Sequence, residues 1–544
     1  MYDLRGLWDT WAGRPSGSVR LALVHRSFRS VGVGRGVRRQ EFAAHFPALG
    51  LLHLAQVVRE GVRSGDLPPT DVAYFDEGAF DTADSLFDAV DQWTRDHDRS
   101  IVAASSYTAT IDQLERFLAR FDPTKVLIMV GGAHATVAPD IESAHLVVRG
   151  EGAAAIRHVL TTLPSDAFAP GCANTGIQYQ LDGVVHRERT AFDRSLTTAT
   201  SPAYAYDLLP AALRGSPVYA TNFTRMLGRR PQVYVCTQSC RARCTFCSTY
   251  LIHGRAVSRP LAKVRADIDF LVNRYGVDSI EFHDDDLLQH EEFDGLLDVM
   301  KGHGIPWFCY LRSEHVTPEL ARAMADAGCR RAFVGIETMD QSTLDYYNKK
   351  TTIEQNAASV TALAEAGVMP IAGFIIGAPE QTVDDVLRDL DRFLELPLFA
   401  INCSVLSPDP GTVEFQRARR SGTAELPMRE RGQLLRIVPD PARFGLGMPT
   451  GLPVVSKRIS KPELNRLLSL IEFRFYFRRR IYAGLTEGRT PAQVAKVRAY
   501  YRHVAANVAE MTVDEAAPEV VDLRAECVAI GSSDEWTWAM PVPV

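Results

Sequence analysis

The sequence predicts an α/β protein with two consecutive parallel β-sheets and a mostly helical C-terminal region. Strand-like and helix-like stretches alternate over residues 19–165, and they alternate again from Gln232 to about Ser407. Alternating β and α units of this length are typical of parallel sheets. The chain has 544 residues, which is enough for several domains. The expected domains are 1–170, 231–419 and 420–544, with a hairpin and linker at 171–230.

The composition is ordinary for a soluble globular protein and excludes several classes. Hydrophobic residues make up 46% and charged residues 23% of the chain, and the formal net charge is -6. A dedicated nucleic-acid binder is usually basic, so we expect no nucleic-acid partner. No apolar run reaches the length of about 18 residues that a transmembrane helix needs, and the N-terminus lacks a signal-peptide pattern. We therefore expect a cytoplasmic protein whose nine cysteines stay reduced.

The N-terminal alternation predicts a doubly wound, flavodoxin-like (Rossmann-like) sheet, because parallel strands with helical crossovers build that fold. Its strand candidates are Val19–Val24, Val72–Phe75, Ile101–Ala104, Val126–Val130 and Leu146–Val148. Ligands bind such sheets outside the carboxyl ends of the strands. The candidates there are Ser105, Ser106, Thr108, Gly131, Gly132, His134, Gly150, Glu151 and Gly152. Small residues leave room for a ligand, although a sheet with glycine-rich turns and no ligand fits the same pattern.

The second alternation predicts six βα units that form a partial barrel, with the site at the carboxyl ends of the strands. Its strand candidates are Gln232–Cys236, Ser279–His283, Trp307–Leu311, Arg331–Ile336, Pro370–Ile376 and Ile401–Leu406.

Three cysteines, Cys240, Cys244 and Cys247, are clustered with the spacing C-x3-C-x2-C. Thiolates this close on a short loop can hold three irons of one cubane cluster and leave the fourth iron open. Two alternatives remain. His253 can complete a Cys3His zinc site, since structural zinc normally takes four ligands, or the cysteines are simply buried near one another.

The cysteine motif, with Phe246 just before its last cysteine, resembles the radical S-adenosylmethionine (SAM) superfamily. The stretch from Gly373 to Glu380 is similar to that family's G-x-I-x-G-x-x-E pattern. The resemblance implies a partial (β/α)6 radical SAM barrel whose open iron chelates SAM. The SAM contacts that it implies are Phe246, Asp284, Asp285, Arg312, Glu337, Gly373, Ile375 and Gly377.

Individual roles follow from the same resemblance. Asp284 or Asp285 lies near the SAM ammonium, or else these aspartates cap a helix. Arg312 pairs with the SAM carboxylate, or else forms a surface salt bridge. Glu337 accepts the two ribose hydroxyls, and the strand that begins at Gly373 passes the adenine, where glycine removes an obstructing Cβ.

The N-terminal sheet, placed directly before such a core, resembles the cobalamin-binding class of the family. The resemblance rests on Gly-Gly-x-His-x-Thr at residues 131–136 and on Gly150-Glu151-Gly152. It implies that the nucleotide tail of cobalamin runs into the sheet along these residues. The D-x-H-x-x-G motif of many cobalamin proteins is absent from the loop after His25, so the lower face of cobalt has no assigned ligand.

The resemblance implies a cobalamin-dependent radical SAM methyltransferase that acts on an unactivated carbon, or on phosphorus, of a small molecule. The Arg- and Ala-rich composition adds the expectation of a role in natural-product biosynthesis. The cofactors implied are a [4Fe-4S] cluster, S-adenosylmethionine and cobalamin, with flavodoxin or ferredoxin as electron donor. One alternative is a rearrangement, ring contraction or cyclisation without methyl transfer. A second is a non-catalytic cobalamin or metal sensor.

The remaining segments carry weaker signals. Residues 176–188 predict a hairpin with Asp182-Gly183 at its turn. Leu464–Tyr482 has a basic and aromatic helical pattern that fits either an anionic substrate or a solvated helix face. The acidic C-terminal end predicts either a lid over the site or a mobile tail.

Overall fold

The computed structural model describes residues 1–11, 17–26, 47–95, 97–162, 175–192, 194–211, 227–422, 454–476 and 491. Two sheets dominate these residues. One has seven strands and lies in the N-terminal part of the chain, and we call it the front sheet. The other has six strands and forms the barrel sheet. The predicted α/β class with two consecutive sheets is therefore confirmed.

The front sheet has the strand order β2-β1-β3-β4-β5-β6-β7. The seven strands are β1 (Val19–His25), β2 (Thr70–Asp76), β3 (Ser100–Ser105), β4 (Val126–Gly131), β5 (Leu146–Val148), β6 (Ile177–Leu181) and β7 (Val184–Arg187). The first five are parallel to one another. The order 2-1-3-4-5 is that of flavodoxin-like sheets. The predicted topology of the N-terminal domain is thus confirmed.

The predicted hairpin forms β6 and β7, which pair antiparallel around Asp182 and Gly183. It also joins the front sheet, because β6 runs antiparallel to β5 with Val148 opposite Ile177. No sequence pattern predicts this pairing. The hairpin therefore covers the edge of β5 that a five-stranded sheet would leave open.

Helices pack against the front sheet. They are α1 (Leu4–Trp11), α2 (Leu49–Ser64), α3 (Ala83–Arg95), α4 (Ile111–Leu118), α5 (Ala133–Val137) and α6 (Ala153–Thr162). Covered parallel strands read as continuous apolar runs rather than as alternating patterns. Strand β1 fits this description, since Leu21, Ala22, Leu23 and Val24 are all fully buried.

The barrel sheet has the order β15-β14-β13-β12-β11-β8, and all of its strands are parallel. The strands are β8 (Pro231–Tyr234), β11 (Ser279–Phe282), β12 (Trp307–Arg312), β13 (Cys329–Glu337), β14 (Met369–Ile376) and β15 (Ala400–Val405). Each overlaps a predicted strand, and β8 and β15 lie at the two edges, as in a half-barrel. The short strands β9 (Thr237–Gln238) and β10 (Val257–Ser258) form a separate antiparallel ribbon.

The remaining helices are α7 (Ser195–Thr198), α8 (Thr249–His253), α9 (Leu261–Tyr275), α10 (Phe293–His303), α11 (Pro318–Asp326), α12 (Gln341–Tyr346), α13 (Ile353–Glu365), α14 (Val383–Glu395), α15 (Val413–Arg420) and α16 (Lys461–Tyr476). Their starts follow from local chemistry. Thr352 with Gln355, and Thr382 with Asp385, form capping boxes that satisfy free backbone N–H groups.

A buried ionic network joins the linker to the barrel. The Arg259 Nε atom lies 2.8 Å from the Asp267 Oδ2 atom, and both side chains have 0% exposure. The same guanidinium donates to the carbonyls of Leu196 (2.7 Å) and Ala199 (3.1 Å) in the linker. Asp267 also accepts from the Tyr234 hydroxyl at 2.7 Å. This network, which we call the joint, holds the linker against strand β8 and helix α9.

The C-terminal helix α16 begins at Lys461, three residues before the predicted start, and packs on β15 and α14. Arg478, Arg479, Arg480 and the acidic end of the chain lie outside the described residues. Among the described helices, none is long and apolar enough to cross a membrane.

Candidate active site

The three motif cysteines lie on the loop between β9 and α8 and line one cavity of about 160 Å³. Cys244 is buried, and Cys240 and Cys247 are half-buried. Burial raises the pKa of the Cys240 and Cys247 thiols. The loop thus gathers three thiols at one cavity, where the thiolate forms require a positively charged partner to offset desolvation.

Several donors point at these sulfurs. The backbone N–H of Ala242 donates to Cys240 Sγ at 3.4 Å, and Arg312 Nη1 donates to Cys244 Sγ at 3.5 Å. Hydrogen bonds from the backbone and side chain of Thr249 counteract part of the increase in the pKa of Cys247. Such donors stabilise negative sulfur and tune iron–sulfur centres. The residues present therefore fit a cluster held by Cys240, Cys244 and Cys247.

The zinc alternative finds no support in the geometry. Within the described ranges, no three His, Cys, Asp or Glu side chains are arranged around a single metal ion. His253, the proposed fourth ligand, lines a different cavity. A cubane differs from zinc in this respect, because its thiolates bind separate irons rather than one ion.

Asp284 and Asp285, two of the three consecutive aspartates, have different environments. Asp284 is buried and accepts from the backbone N–H groups of Cys236 (3.0 Å) and Thr237, and from the Thr237 hydroxyl (2.7 Å). Asp285 lines the cysteine cavity and accepts from Thr249 Oγ1 at 3.0 Å. Of the two residues expected near SAM, only Asp285 faces this cavity, and the Asp284 carboxylate instead anchors the chain that leads into the cysteine loop. Burial raises the pKa of Asp284 and of Asp286 to about 6.

Arg312 lines the cysteine cavity but its guanidinium already has partners. Its Nε atom contacts Glu314 at 2.5 Å, and Nη2 donates to the Lys349 carbonyl. The Arg312 side chain is only 9% exposed. It therefore forms a salt bridge, as one alternative predicted, but this salt bridge is buried and not on the surface. Arg312, the last residue of β12, thus brings its charge to the Cys244 sulfur in the cysteine loop.

Glu337 and Lys349 form a buried ion pair at the end of β13. Lys349 Nζ donates to Glu337 Oε1 at 2.8 Å, and the side chains are 5% and 12% exposed for Lys349 and Glu337. Both residues line the cysteine cavity. Burial alone lowers the pKa of Lys349, but the Glu337 carboxylate outweighs it and the net pKa is raised. Lys349 was not among the predicted site residues, because nothing in its spacing relates it to Glu337.

The glycines expected beside the adenine make room for protein atoms. A Cβ at Gly373 would lie 2.9 Å from Glu337 Oε2. A Cβ at Gly377 would contact Leu464 on α16 at 3.2 Å, and this residue has φ +87. Neither glycine nor Ile375 lines the cysteine cavity. Ile375 instead packs in a cluster with Phe246, which does line it. The space that a Cβ would take at Gly373 and Gly377 is thus filled by protein side chains, and contact of these glycines with the adenine stays a prediction.

A second cavity, of about 280 Å³, lies at the carboxyl edge of the front sheet, and we call it the front cavity. The expected residues that line it are Ser105, Gly131, Gly132, Gly150, Glu151 and Gly152. Residues from α2 complete this side, including His53, which the sequence analysis did not single out. His53 Nε2 contacts Ser195 Oγ at 2.8 Å and Nδ1 contacts the Ala203 carbonyl at 2.9 Å.

Three of the expected tail contacts face the protein instead. Ser106 Oγ donates to the Gly131 carbonyl at 2.7 Å and accepts from the Ala135 N–H at 3.0 Å. Thr108 Oγ1 and His134 Nδ1 lie 3.1 Å apart. None of Ser106, Thr108 and His134 lines the front cavity. These residues shape the loops after β3 and β4 rather than the cavity surface.

The helix α8 lies between the two cavities. Thr249 and Tyr250 line the cysteine cavity, whereas Ile252 and His253 line the front cavity. Gln238, two residues before Cys240, also lines the front cavity. Helix α8, after the cysteine loop, thus borders both cavities, and Gln238, before the loop, borders the front cavity.

Comparison with known proteins agrees with this geometry. Residues 234–393 match the Radical SAM superfamily. This part of the chain is thus similar to the members of that superfamily. The matched segment contains the three cysteines and most of the barrel sheet. The match thus includes the cysteine loop and the strands β11, β12, β13 and β14 of the half-barrel.

Relatives extend over more of the chain. It is 26% identical over 379 residues to the uncharacterized methyltransferase PH0819 of Pyrococcus horikoshii, covering 67% of this chain and 77% of the relative. It is 26% identical over 334 residues to the anaerobic magnesium-protoporphyrin IX monomethyl ester cyclase of Cereibacter sphaeroides, covering 59% of this chain and 53% of the cyclase. The match thus spans about half of the cyclase.

The fold has a solved counterpart. The cobalamin-dependent S-adenosylmethionine radical enzyme OxsB, with aqua-cobalamin and S-adenosylmethionine bound, superposes with a TM-score of 0.63 at 15% identity. The alignment covers 94% of this chain and 75% of OxsB. The two chains therefore share the fold in which a flavodoxin-like domain precedes a radical SAM half-barrel.

Proposed function

We propose that this chain is a cobalamin-dependent radical SAM methyltransferase that acts on an unactivated carbon, or on phosphorus, of a small molecule. The observation that carries the proposal is the pair of cavities on the two sides of α8, one bordered by three cysteines and the other by the rim of the front sheet. The match to the Radical SAM superfamily and the likeness to a methyltransferase and to OxsB support it.

The protein holds the cluster through Cys240, Cys244 and Cys247 in this proposal. A reduced cluster with an open iron supplies reductive cleavage of SAM, and cobalamin supplies a transferable methyl group. Arg312 and the Ala242 N–H stabilise the sulfur charge through the contacts described above. The carboxylate of Asp284 fixes the strand that leads into the loop.

SAM lies in the cysteine cavity, where the lining residues offer charges of both signs. Asp285 is the candidate partner for the SAM ammonium, because its carboxylate faces the cavity. Glu337, held by Lys349, is the candidate for the ribose hydroxyls. Phe246 supplies an apolar ring for the adenine. Arg312 is a candidate partner for the SAM carboxylate, and it also contacts the Cys244 sulfur.

The corrinoid lies against the front cavity in this proposal. Ser105, Gly131, Gly150, Glu151 and Gly152 form the surface along which its nucleotide tail runs. Among the described residues, His25 does not line this cavity, so the proposal assigns no axial histidine from the loop after β1.

The proposal includes a reduced protein electron donor, such as flavodoxin or ferredoxin, and a cytoplasmic location. The seven described cysteines are all free thiols, which fits a reducing compartment. The domain division at 1–170, 171–230, 231–419 and 420–544 is part of the same proposal.

Anaerobic reconstitution with iron, sulfide and hydroxocobalamin tests the proposal. After reduction with dithionite and addition of SAM, we expect 5′-deoxyadenosine together with S-adenosylhomocysteine. The Cys244→Ala variant should lose 5′-deoxyadenosine, whereas Cys403→Ser, a cysteine of strand β15 outside the motif, should retain it. If the reconstituted chain forms neither 5′-deoxyadenosine nor S-adenosylhomocysteine, this result contradicts the proposal and favours a non-catalytic sensor.

Cyclisation without methyl transfer is the second candidate, favoured by the similarity to the magnesium-protoporphyrin IX monomethyl ester cyclase. The two candidates differ in one product. Formation of 5′-deoxyadenosine without S-adenosylhomocysteine, under conditions that reduce the corrinoid, would favour cyclisation or rearrangement over methylation.

A further inference from the structure

Two buried polar atoms of the radical SAM domain border the front cavity without a partner. Gln238 Oε1 and His253 Nδ1 are inaccessible to solvent and have no hydrogen-bond partner among the described residues. Both residues line the front cavity. A buried acceptor or donor left unpaired pays its full desolvation cost. Two such atoms at one cavity therefore indicate a polar ligand that enters it.

The position of the two residues limits which ligands can contact both of them. They belong to β9 and α8, whereas the lining residues Gly131 and Gly150 belong to the front sheet and the loop after it. A ligand that meets both sides has to span the opening between the domains. His53, on the front-sheet side, already has partners for both ring nitrogens. The unmatched hydrogen-bonding capacity thus lies on the barrel side.

The chemistry of the two atoms fits primary amides. An amide side chain offers N–H donors to the Gln238 oxygen, and both donors and an acceptor to a neutral imidazole. Burial lowers the pKa of His253, although Asp285 opposes this, so the ring is neutral near pH 7. The periphery of a corrin ring carries several primary amides.

We infer that Gln238 and His253 bind the amide side chains of the corrin ring from the radical SAM domain. The inference rests on the proposed function, because it takes the corrinoid as occupant of the front cavity. Gln238 lies two residues before Cys240 and His253 six residues after Cys247. Corrinoid binding would therefore fix both ends of the cysteine loop, and these residues act as positioning residues.

Corrinoid affinity of the cluster-reconstituted full chain tests the inference. We expect Gln238→Met and His253→Phe each to raise the Kd for hydroxocobalamin about fivefold to tenfold, as loss of one hydrogen bond predicts. His253→Gln, which keeps a hydrogen-bonding side chain, should recover most of the affinity. Gln416→Leu on α15 and His303→Phe on α10 are matched controls outside the front cavity, and they should bind like the wild type. Iron content identifies variants that misfold.

A second probe and a spectrum separate the outcomes. Cobinamide keeps the ring amides and lacks the nucleotide tail, so the same loss of affinity for both corrinoids supports the inference. A loss confined to hydroxocobalamin would overturn it, because the contact would then be to the tail. Nitrogen splitting in the electron paramagnetic resonance (EPR) spectrum of the cob(II)alamin form that disappears in His253→Phe would also overturn it, because the imidazole would then bind cobalt.

Two failures remain distinguishable. If the wild type binds neither corrinoid, both this inference and the proposed function are wrong. If the wild type binds both and the variants bind equally well, only the inference about Gln238 and His253 is wrong.

Discussion

Replacing Arg259 by methionine should open the linker that connects the front sheet to the barrel. The substitution leaves the fully buried Asp267 carboxylate without its cation and removes the hydrogen bonds that Arg259 donates to the carbonyls of Leu196 and Ala199. Removing one partner of a buried ion pair costs about 3–5 kcal/mol. That energy corresponds to an increase on the order of 10²–10³ in the population of the opened linker.

Native-state proteolysis with thermolysin measures this population, because cleavage follows the open fraction when opening and closing are fast. We expect faster cleavage within residues 194–211 in Arg259→Met. Lys263→Met is the matched control. Lys263 also donates to linker carbonyls, including that of Thr198 at 2.7 Å, but it is partly exposed and has no buried carboxylate partner there. Its effect should be small.

An Arg259→Met/Asp267→Leu double variant separates the charge from the packing. It should recover part of the loss, since no unpaired charge remains. Cleavage of Arg259→Met at the wild-type rate would refute the assignment of the joint as the element that fixes the linker.

Three further predictions address the site and its frame. Asp284→Ala should lower the iron retained per chain at least severalfold, because the N–H groups of Cys236 and Thr237 lose their acceptor, whereas the exposed Asp326→Ala should retain iron normally. Burial raises the pKa of Asp389 to about 7, so the folded state holds the proton more tightly than the unfolded state. Stability from this group should be full below about pH 4 and fall by at most about 4 kcal/mol as the pH rises to 7, and Asp389→Asn should remove this fall in urea titrations. Gly150→Ala should destabilise the chain by more than about 2 kcal/mol, because its Cβ would lie 2.0 Å from the Ala191 carbonyl oxygen. Gly183→Ala, with φ +77 and no neighbour within 4 Å, should cost clearly less in the same thermal melts.

The parallel strands were predictable because burial on both faces leaves long apolar runs. The prediction of β1 from Val19 and of β5 at Leu146–Val148 rests on such runs. The pairing of β6 with β5 was not predictable, because an edge strand has no local signal for its neighbour. Helix α9, in contrast, carries a sequence signal for a contact with another part of the chain. Asp267 is a charged residue within the buried apolar stripe of Val264, Ile268 and Leu271, and this departure marks the joint.

The site was predictable where chemistry depends on short spacing and not where it depends on the fold. The three cysteines lie within eight residues, so their common cavity followed from the sequence. Lys349 is twelve residues from Glu337, and only the curvature of the chain after β13 brings their charges together. The sequence showed that Gly373 lacks a Cβ but not that the Glu337 carboxylate occupies the space.

The proximity of the two cofactors is the central claim, and EPR spectroscopy tests it most directly. The chain reconstituted with cluster and cobalamin is reduced so that the cluster and cob(II)alamin are both paramagnetic. Because helix α8 borders both the cysteine cavity and the front cavity, we predict that the two signals broaden or split through spin–spin interaction, and that cobalamin bound to the Cys244→Ala variant gives an unperturbed signal. Two full-intensity signals without any interaction would contradict the claim that one chain holds both groups side by side.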